Sequence, residues 1–178
     1  RIKEAKIELD LAKTLDSNNI DVRLVWASFE NRNKDIDAQK EWLKPLLVNV
    51  EGIPDAWSQM GEIEQLAKNL EAAEMAYTKA IELRGVVHID TLKRALVRIA
   101  QKKYVEALED VNTLKRAGAQ WPMVGYAEGL IAYHQKNFDS AQSLFENVLS
   151  KYSDYLPARF LMGLTHFNKG NYQNAASN

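Results

Sequence analysis

The stretch GLIAYHQKNFDSA, Gly129 to Ala141, returns as GLTHFNKGNYQNA, Gly163 to Ala175, at an offset of 34 residues. A period of that length marks one supersecondary unit written several times, each copy needing a neighbour to bury its apolar face. The period runs through most of the chain. A small residue recurs as Gly61, Ala95, Gly129 and Gly163. An alanine recurs as Ala5, Ala73, Ala107, Ala141 and Ala175, with Gln39 as the lapse. A large apolar residue stands three before it, as Ile36, Leu70, Tyr104, Phe138 and Tyr172, and another four after it, as Leu9, Leu43, Tyr77, Val111 and Phe145.

Each column has a physical reason. Two helices approach to about 8–10 Å only where small side chains meet at the crossing. The large apolar residues then fill the space beside that contact. Phe160, Gly163, Leu164 and Phe167 follow the helical spacing, as do Ala141, Leu144, Phe145, Val148, Leu149 and Tyr152. No segment alternates apolar and polar residues in the manner of a strand. Asn137-Phe138 and Gly170-Asn171-Tyr172 supply turns between helices. Pro54, Pro122 and Pro157 lie near expected helix starts, and Gly85 and Gly118 at expected helix ends. Pro45 falls inside a second helix and is expected to bend or interrupt it.

These residues resemble the tetratricopeptide repeat, whose hairpin carries W-x2-L-G-x2-Y, then A-x3-F. Trp57-x2-Met60-Gly61, Ala73-x3-Tyr77 and Ala80 match it best, with Glu64 in place of the tyrosine. The resemblance implies an all-α, right-handed superhelix of about five repeats. Full repeats are expected at 20–53, 54–87, 88–121 and 122–155. Residues 1–19 fit the second helix of an earlier repeat, and 156–178 a repeat cut off in its second helix. Such ends lead us to expect a piece of a longer array. Trp57 takes the place of the family's packing tryptophan and is expected in the core.

A narrower resemblance lies in Lys93-Arg94-Ala95-Leu96-Val97-Arg98-Ile99, in Tyr126-x2-Gly129-Leu130-x-Ala132 and in Leu156-Pro157-Ala158-Arg159-Phe160-Leu161. These look like the middle of bacterial tetratricopeptide lipoproteins of the exosortase (PEP-CTERM) sorting system, linked to exopolysaccharide production. That resemblance implies a periplasmic or cell-envelope setting and a lipid anchor on the full-length protein. The lipidated cysteine itself is not in this sequence.

Composition narrows the function classes. Charged residues make up 26 % and hydrophobic residues 46 %, the balance of an ordinary folded domain. The formal net charge is -1, and the longest basic clusters are pairs such as Lys102-Lys103, so no nucleic-acid partner is expected. There is no cysteine, hence no disulfide or zinc–thiolate site. No apolar run is long enough to span a bilayer, and no signal peptide stands out. No phosphate loop, dinucleotide fingerprint, zinc-protease motif or nucleophile elbow occurs. His88, His134 and His166 lack acidic partners at ligand spacing, so neither metal nor cofactor is expected, and no catalysis.

The family's concave face is lined by positions two, five, nine, twelve and thirteen of each first helix. Carried over, these are Asp21, Leu24, Ser28, Asn31 and Arg32, then Asp55, Ser58, Glu62, Gln65 and Leu66, a polar half. The remaining repeats give an apolar and aromatic half. Leu92, Leu96 and Ile99 come first, then Met123, Tyr126, Leu130, Tyr133 and His134, and last Phe160, Leu164 and Phe167. Exposed, such a stripe is a recognition surface for a protein or peptide. Pattern alone does not separate groove from core. The function expected is a scaffold for protein–protein interaction. Stacking of a polysaccharide on coplanar tyrosines is the second reading, and a spacer within a larger enzyme the third.

Overall fold

The computed structural model describes residues 2–48, 52–86 and 88–176. The expected repeat ends at 87 and 178, and the Arg32 side chain, lie outside the described residues. Every regular element among those described is a helix. They are α1 (Ile2–Leu15), α2 (Ile20–Asn33), α3 (Ile36–Leu47), α4 (Pro54–Leu66), α5 (Leu70–Arg84) and α6 (Ile89–Ala100), followed by α7 (Tyr104–Arg116), α8 (Pro122–His134), α9 (Phe138–Lys151), α10 (Leu156–Asn168) and α11 (Tyr172–Ala176). The first helices start at 20, 54, 89, 122 and 156, within one residue of the sequence period.

The helices fall into two compact units, Arg1–Gly85 and Val86–Asn178. In the first, α2 pairs with α3 and α4 with α5, while α4 also packs on α2 and α3. Ala27, Leu43, Leu46, Ala56 and Ile63 form the core there. In the second, α6 pairs with α7, α8 with α9 and α10 with α11, and the first helices α6, α8 and α10 also pack in succession. One core cluster joins α6, α7 and α8 around Leu92, Val111 and Ile131. A second joins α8, α9 and α10 around Phe145 and Leu161.

The small residues stand where the helices cross. A Cβ on Gly61 would lie 2.6 Å from the Tyr77 ring, and one on Gly129 would lie 2.5 Å from Phe145. Tyr77 and Phe145 are fully buried, so neither ring has room to retreat. Where the crossing residue is Ala95, the facing residue is the smaller Val111, both also fully buried. Gln39, the lapse in the alanine column, is buried and donates from Nε2 to the Asp35 carbonyl at 3.1 Å. That bond satisfies the amide where its neighbours in the column need none.

The turn inside each hairpin is one motif used five times. Lys34, Lys68, Lys102, Lys136 and Gly170 all take the left-handed conformation, with φ of 58, 64, 64, 61 and 78°. In the second repeat Lys68 N–H reaches the Gln65 carbonyl at 3.0 Å, and Asn69 N–H the Glu64 carbonyl at 2.8 Å. The other four turns repeat both bonds. This pairing closes the end of the first helix. A lysine there costs about 1–2 kcal/mol that glycine avoids, and the two bonds offset it. Sequence reasoning found the turns at Asn137 and Gly170, which show a turn residue, and passed over those at Lys34, Lys68 and Lys102. The next residue often starts the following helix: Asp35 accepts from Ala38 N–H at 3.0 Å and Asn137 from Ser140 N–H at 3.3 Å.

One expectation is narrowed and another corrected. Helix α3 runs through Pro45 and ends at Leu47, so the proline does not interrupt it. Pro45 sits in the last turn, where it gives up only one bond, to the carbonyl four residues earlier. Trp57 is half-buried rather than core, lying beside Met75 and Thr78 of α5. The fully packed indole is Trp26. It stacks on Trp42 at 5.3 Å, meets Phe29 edge-on at 5.5 Å and donates to the Leu9 carbonyl at 3.2 Å. Lys13 of α1 lies over both indoles, at 5.7 and 5.0 Å from their centroids. This cluster holds α1 to the hairpin that follows it.

Candidate functional site: the first-helix faces

The two units present different first-helix faces. In the first unit, Ser28 and Asn31 of α2 and Glu62 and Leu66 of α4 line a cavity of about 30 Å³ with Gln39 and Gln59. It is polar and large enough for about one water. Ser58, expected on this face, is buried.

In the second unit the expected apolar stripe divides along its length. Leu92 and Ile99 of α6 are 0 % and 4 % exposed, in the core between α6, α7 and α8. They are not groove residues, because α8 lies over them and no ligand reaches them without unpacking the hairpins. Leu96, Met123 and Leu130 are half-buried against the same cluster. Tyr126 and Tyr133 of α8 are joints rather than open anchors. Tyr126 meets Tyr155 edge-on at 5.6 Å and tilts on Phe145 at 6.3 Å. Burial raises the Tyr126 hydroxyl pKa; burial and then the Tyr126 charge raise that of Tyr155. Tyr133 meets Phe138 edge-on at 5.7 Å, and its hydroxyl accepts from Asn168 Nδ2 of α10 at 3.0 Å. Neither tyrosine is the exposed, coplanar ring that stacking on a sugar requires. His134 is exposed, with its ring stacked on Tyr104 at 6.0 Å and edge-on to Tyr133 at 5.8 Å.

The stripe opens on α10. Phe160 and Phe167 are 66 % and 59 % exposed. With the half-buried Leu164 they line an apolar cleft of about 380 Å³, completed by Leu156, Arg159, Gly163 and Ala175. Tyr172 of α11 meets Phe167 edge-on at 5.4 Å. Leu156, 71 % exposed, belongs to this surface and was missed. It is the first residue of α10, one place before the earliest position that the family frame assigns to the face; its spacing from Phe160 is the signal that finds it.

Several ionisable residues form closed pairs among the described residues. Arg94 Nη2 donates to Asp110 Oδ1 at 2.6 Å, and Arg98 Nη1 to Asp110 Oδ2 at 2.9 Å, joining α6 to α7 around a buried carboxylate. Asp90, also buried, lies 2.8 Å from His88 Nδ1 and 3.9 Å from Lys93 Nζ. Lys40 of α3 meets Glu64 of α4 at 2.7 Å. Burial of Glu64 works to raise its pKa, but hydrogen bonds from Lys40 and Asn69 and the Lys40 charge together hold it below the ordinary value. His134 and His166 do not combine: His166 is buried, and no cluster of three His, Cys, Asp or Glu residues suited to a metal occurs among the described residues. None of the described helices is long and apolar enough to cross a membrane.

Hairpins stacked by small-residue crossings, closed by one recurrent turn and carrying an open apolar face, define a helical-repeat protein. Residues 54–85, the α4–α5 hairpin, match the family model for the tetratricopeptide repeat. The fold is that of a tetratricopeptide repeat protein from Parabacteroides merdae ATCC 43184, at a TM-score of 0.85 and 12% identity over 99% of this chain and 70% of that one. It is similar to a chain of the APC/C hetero-tetramer Cut9–Hcn1, at 0.86 and 13% identity over 99% of this chain and 35% of that one. It is also similar to YrrB, described as a tetratricopeptide-repeat protein with an unusual peptide-binding site, at 0.70 and 14% identity over 95% and 87% of the two chains. Identities this low carry the fold alone. No curated protein matches by sequence. The chain has the tetratricopeptide-repeat fold.

Proposed function

We propose that the chain is a scaffold that holds a protein or peptide segment against the open face of α10 in its second unit. The observation that carries this reading is the cleft of about 380 Å³ between Leu156, Phe160, Leu164 and Phe167. Two phenyl rings more than half exposed on one helix face are costly in water and suited to anchor an apolar partner. A helix with apolar residues at i and i+7, or an extended segment, fits such a trough. The same fold in YrrB is described with a peptide-binding site, which supports this mode of use. The setting in a bacterial envelope assembly, for exopolysaccharide production or protein sorting, belongs to the proposal and rests on the three stretches near Lys93, Tyr126 and Leu156; fractionation of cells carrying the tagged full-length protein tests it.

The test of the binding face is the double variant Phe160→Ser, Phe167→Ser. Both sites are surface positions, so its stability should stay within about 0.5 kcal/mol of wild type. Peptide-array binding and sedimentation are then read on both proteins. Loss of a specific peptide with the melt unchanged supports the scaffold. If the only change is loss of self-association, the face is a contact between copies and the reading is wrong.

A further inference from the structure

The cleft on α10 is the second copy of a joint that the α8–α9 hairpin shows closed. The sequence period sets Gly163 against Gly129, Phe160 against Tyr126 and Ala175 against Ala141. In the closed copy the Phe145 ring lies so near Gly129 that a Cβ there would meet it at 2.5 Å, and the Tyr126 ring tilts on it at 6.3 Å. Phe145 and Ala141 are fully buried. In the open copy Gly163 and Ala175 line the cleft, beside a Phe160 that is mostly exposed. Helix α11 repeats part of the closure. Tyr172 meets Phe167 edge-on at 5.4 Å, as Phe138 meets Tyr133 at 5.7 Å. The open part of the joint is therefore the socket of the ring, between Phe160 and Gly163.

One wall differs between the copies. Val148, three residues beyond Phe145, packs over Gly125, where a Cβ would lie 2.8 Å from its Cγ2. The step from Phe145 to Val148 thus runs back along α8 from Gly129 to Gly125, so the two helices are antiparallel. The residue of α10 in the place of Gly125 is Arg159, an exposed cation on the lining of the cleft. Its Nη2 donates to the Ser153 carbonyl at 2.7 Å, a bond that holds the side chain and leaves its charge in place. A residue entering as Val148 does would meet a guanidinium instead of bare backbone. A carboxylate gains a charged hydrogen bond there, whereas a valine would strip water from the cation.

We infer that the α10 cleft takes an amphipathic helix that presents an aromatic ring to Gly163 and a carboxylate, three residues further on, to Arg159. The helix runs antiparallel to α10, with its ring against Phe160 as Phe145 lies against Tyr126. This rests on the reading of α10 as the binding face and names the chemistry of the partner that fits it.

The experiment is a fluorescence-anisotropy titration with three labelled, end-capped peptides. The parent is the α9 sequence with its flanking residues, 137–152. The acidic peptide carries Val148→Glu, and the ring control carries Phe145→Ala in addition. The acidic peptide should bind saturably, severalfold more tightly than the parent and roughly tenfold more tightly than the ring control, as loss of an aromatic anchor implies. Arg159→Gln in the protein, at an exposed position, should erase the preference for the acidic peptide with the melt unchanged. Gly163→Leu sets a side chain in the socket and should abolish binding. Equal affinity for parent and acidic peptide overturns the proposal, as does a Gly163→Leu protein that melts like wild type and still binds. The titration is repeated on the full-length protein. Binding kept there supports the inference, whereas binding to residues 1–178 alone shows that the protein fills its own socket and overturns it. A peptide from the array that needs Phe160 and Phe167, when none of these helices binds, overturns the inference and leaves the binding face standing. Absence of any peptide on α10 removes both.

Discussion

In the first unit Gly61 of α4 lies under the ring of Tyr77; in the second Gly129 of α8 lies under Phe145. The crossing is the same, but the polar joints are not. Each unit ties helices both within a hairpin and between hairpins: Arg84 of α5 to Asp55 of α4 and Lys40 of α3 to Glu64 of α4 in the first, Arg94 and Arg98 of α6 to Asp110 of α7 and Lys115 of α7 to Glu128 of α8 in the second. Only the second closes two arginines on one buried carboxylate, that of Asp110. The first-helix faces diverge further, from a small polar cavity at Ser28 and Glu62 to an apolar cleft at Phe160 and Phe167. The apolar crossing is the common requirement of the hairpin, whereas the joints and faces vary because no single arrangement of them is needed to close it.

The largest effect tests the shared part. Tyr77→Ala and Phe145→Ala each remove a fully buried ring and should each cost about 3–5 kcal/mol in urea unfolding. If one is tolerated for less than about 1 kcal/mol, the two crossings are not equivalent. Next comes the joint peculiar to the second unit. Asp110→Ala leaves two largely buried guanidinium groups facing each other without their carboxylate and should cost about 3 kcal/mol. Hydrogen exchange should quicken in α6 and α7 and stay unchanged in α4 and α5; equal quickening in both would dissolve the distinction between the units.

The smallest effect belongs to the first unit. The Glu64 carboxyl titrates below its ordinary 4.5 in the folded chain, so its stabilising contribution is whole above that pH. It fades as pH falls through the lower, folded value. Lys40→Met removes its main partner, and the midpoint of urea unfolding should then lose part of its decline on acidification. A decline equally steep in the variant would show that Lys40 is not what holds the carboxyl down.

Much of the fold could be read from the chain. The period, the small residues at the crossings and the proline and glycine boundaries are local demands, and each leaves a residue type behind. The turns at Lys34, Lys68 and Lys102 went unread, because their left-handed backbone is held by main-chain bonds and not by a residue type that marks a turn. The aromatic cluster of Trp26 and Trp42 was also hidden, since those residues belong to no column and meet only when α2 and α3 pack.

The candidate site shows where sequence stops. Leu92, Tyr126 and Phe160 hold one position of the repeat, and Ile99, Tyr133 and Phe167 another. The sequence determined that all six are apolar or aromatic and lie on first helices. Only the tertiary structure decided that the first of each set is core, the second a half-buried joint and the third exposed. The physical reason is that burial belongs to the pair of helices and not to one of them: α8 covers α6 and α10 covers α8, whereas the cleft on α10 is open.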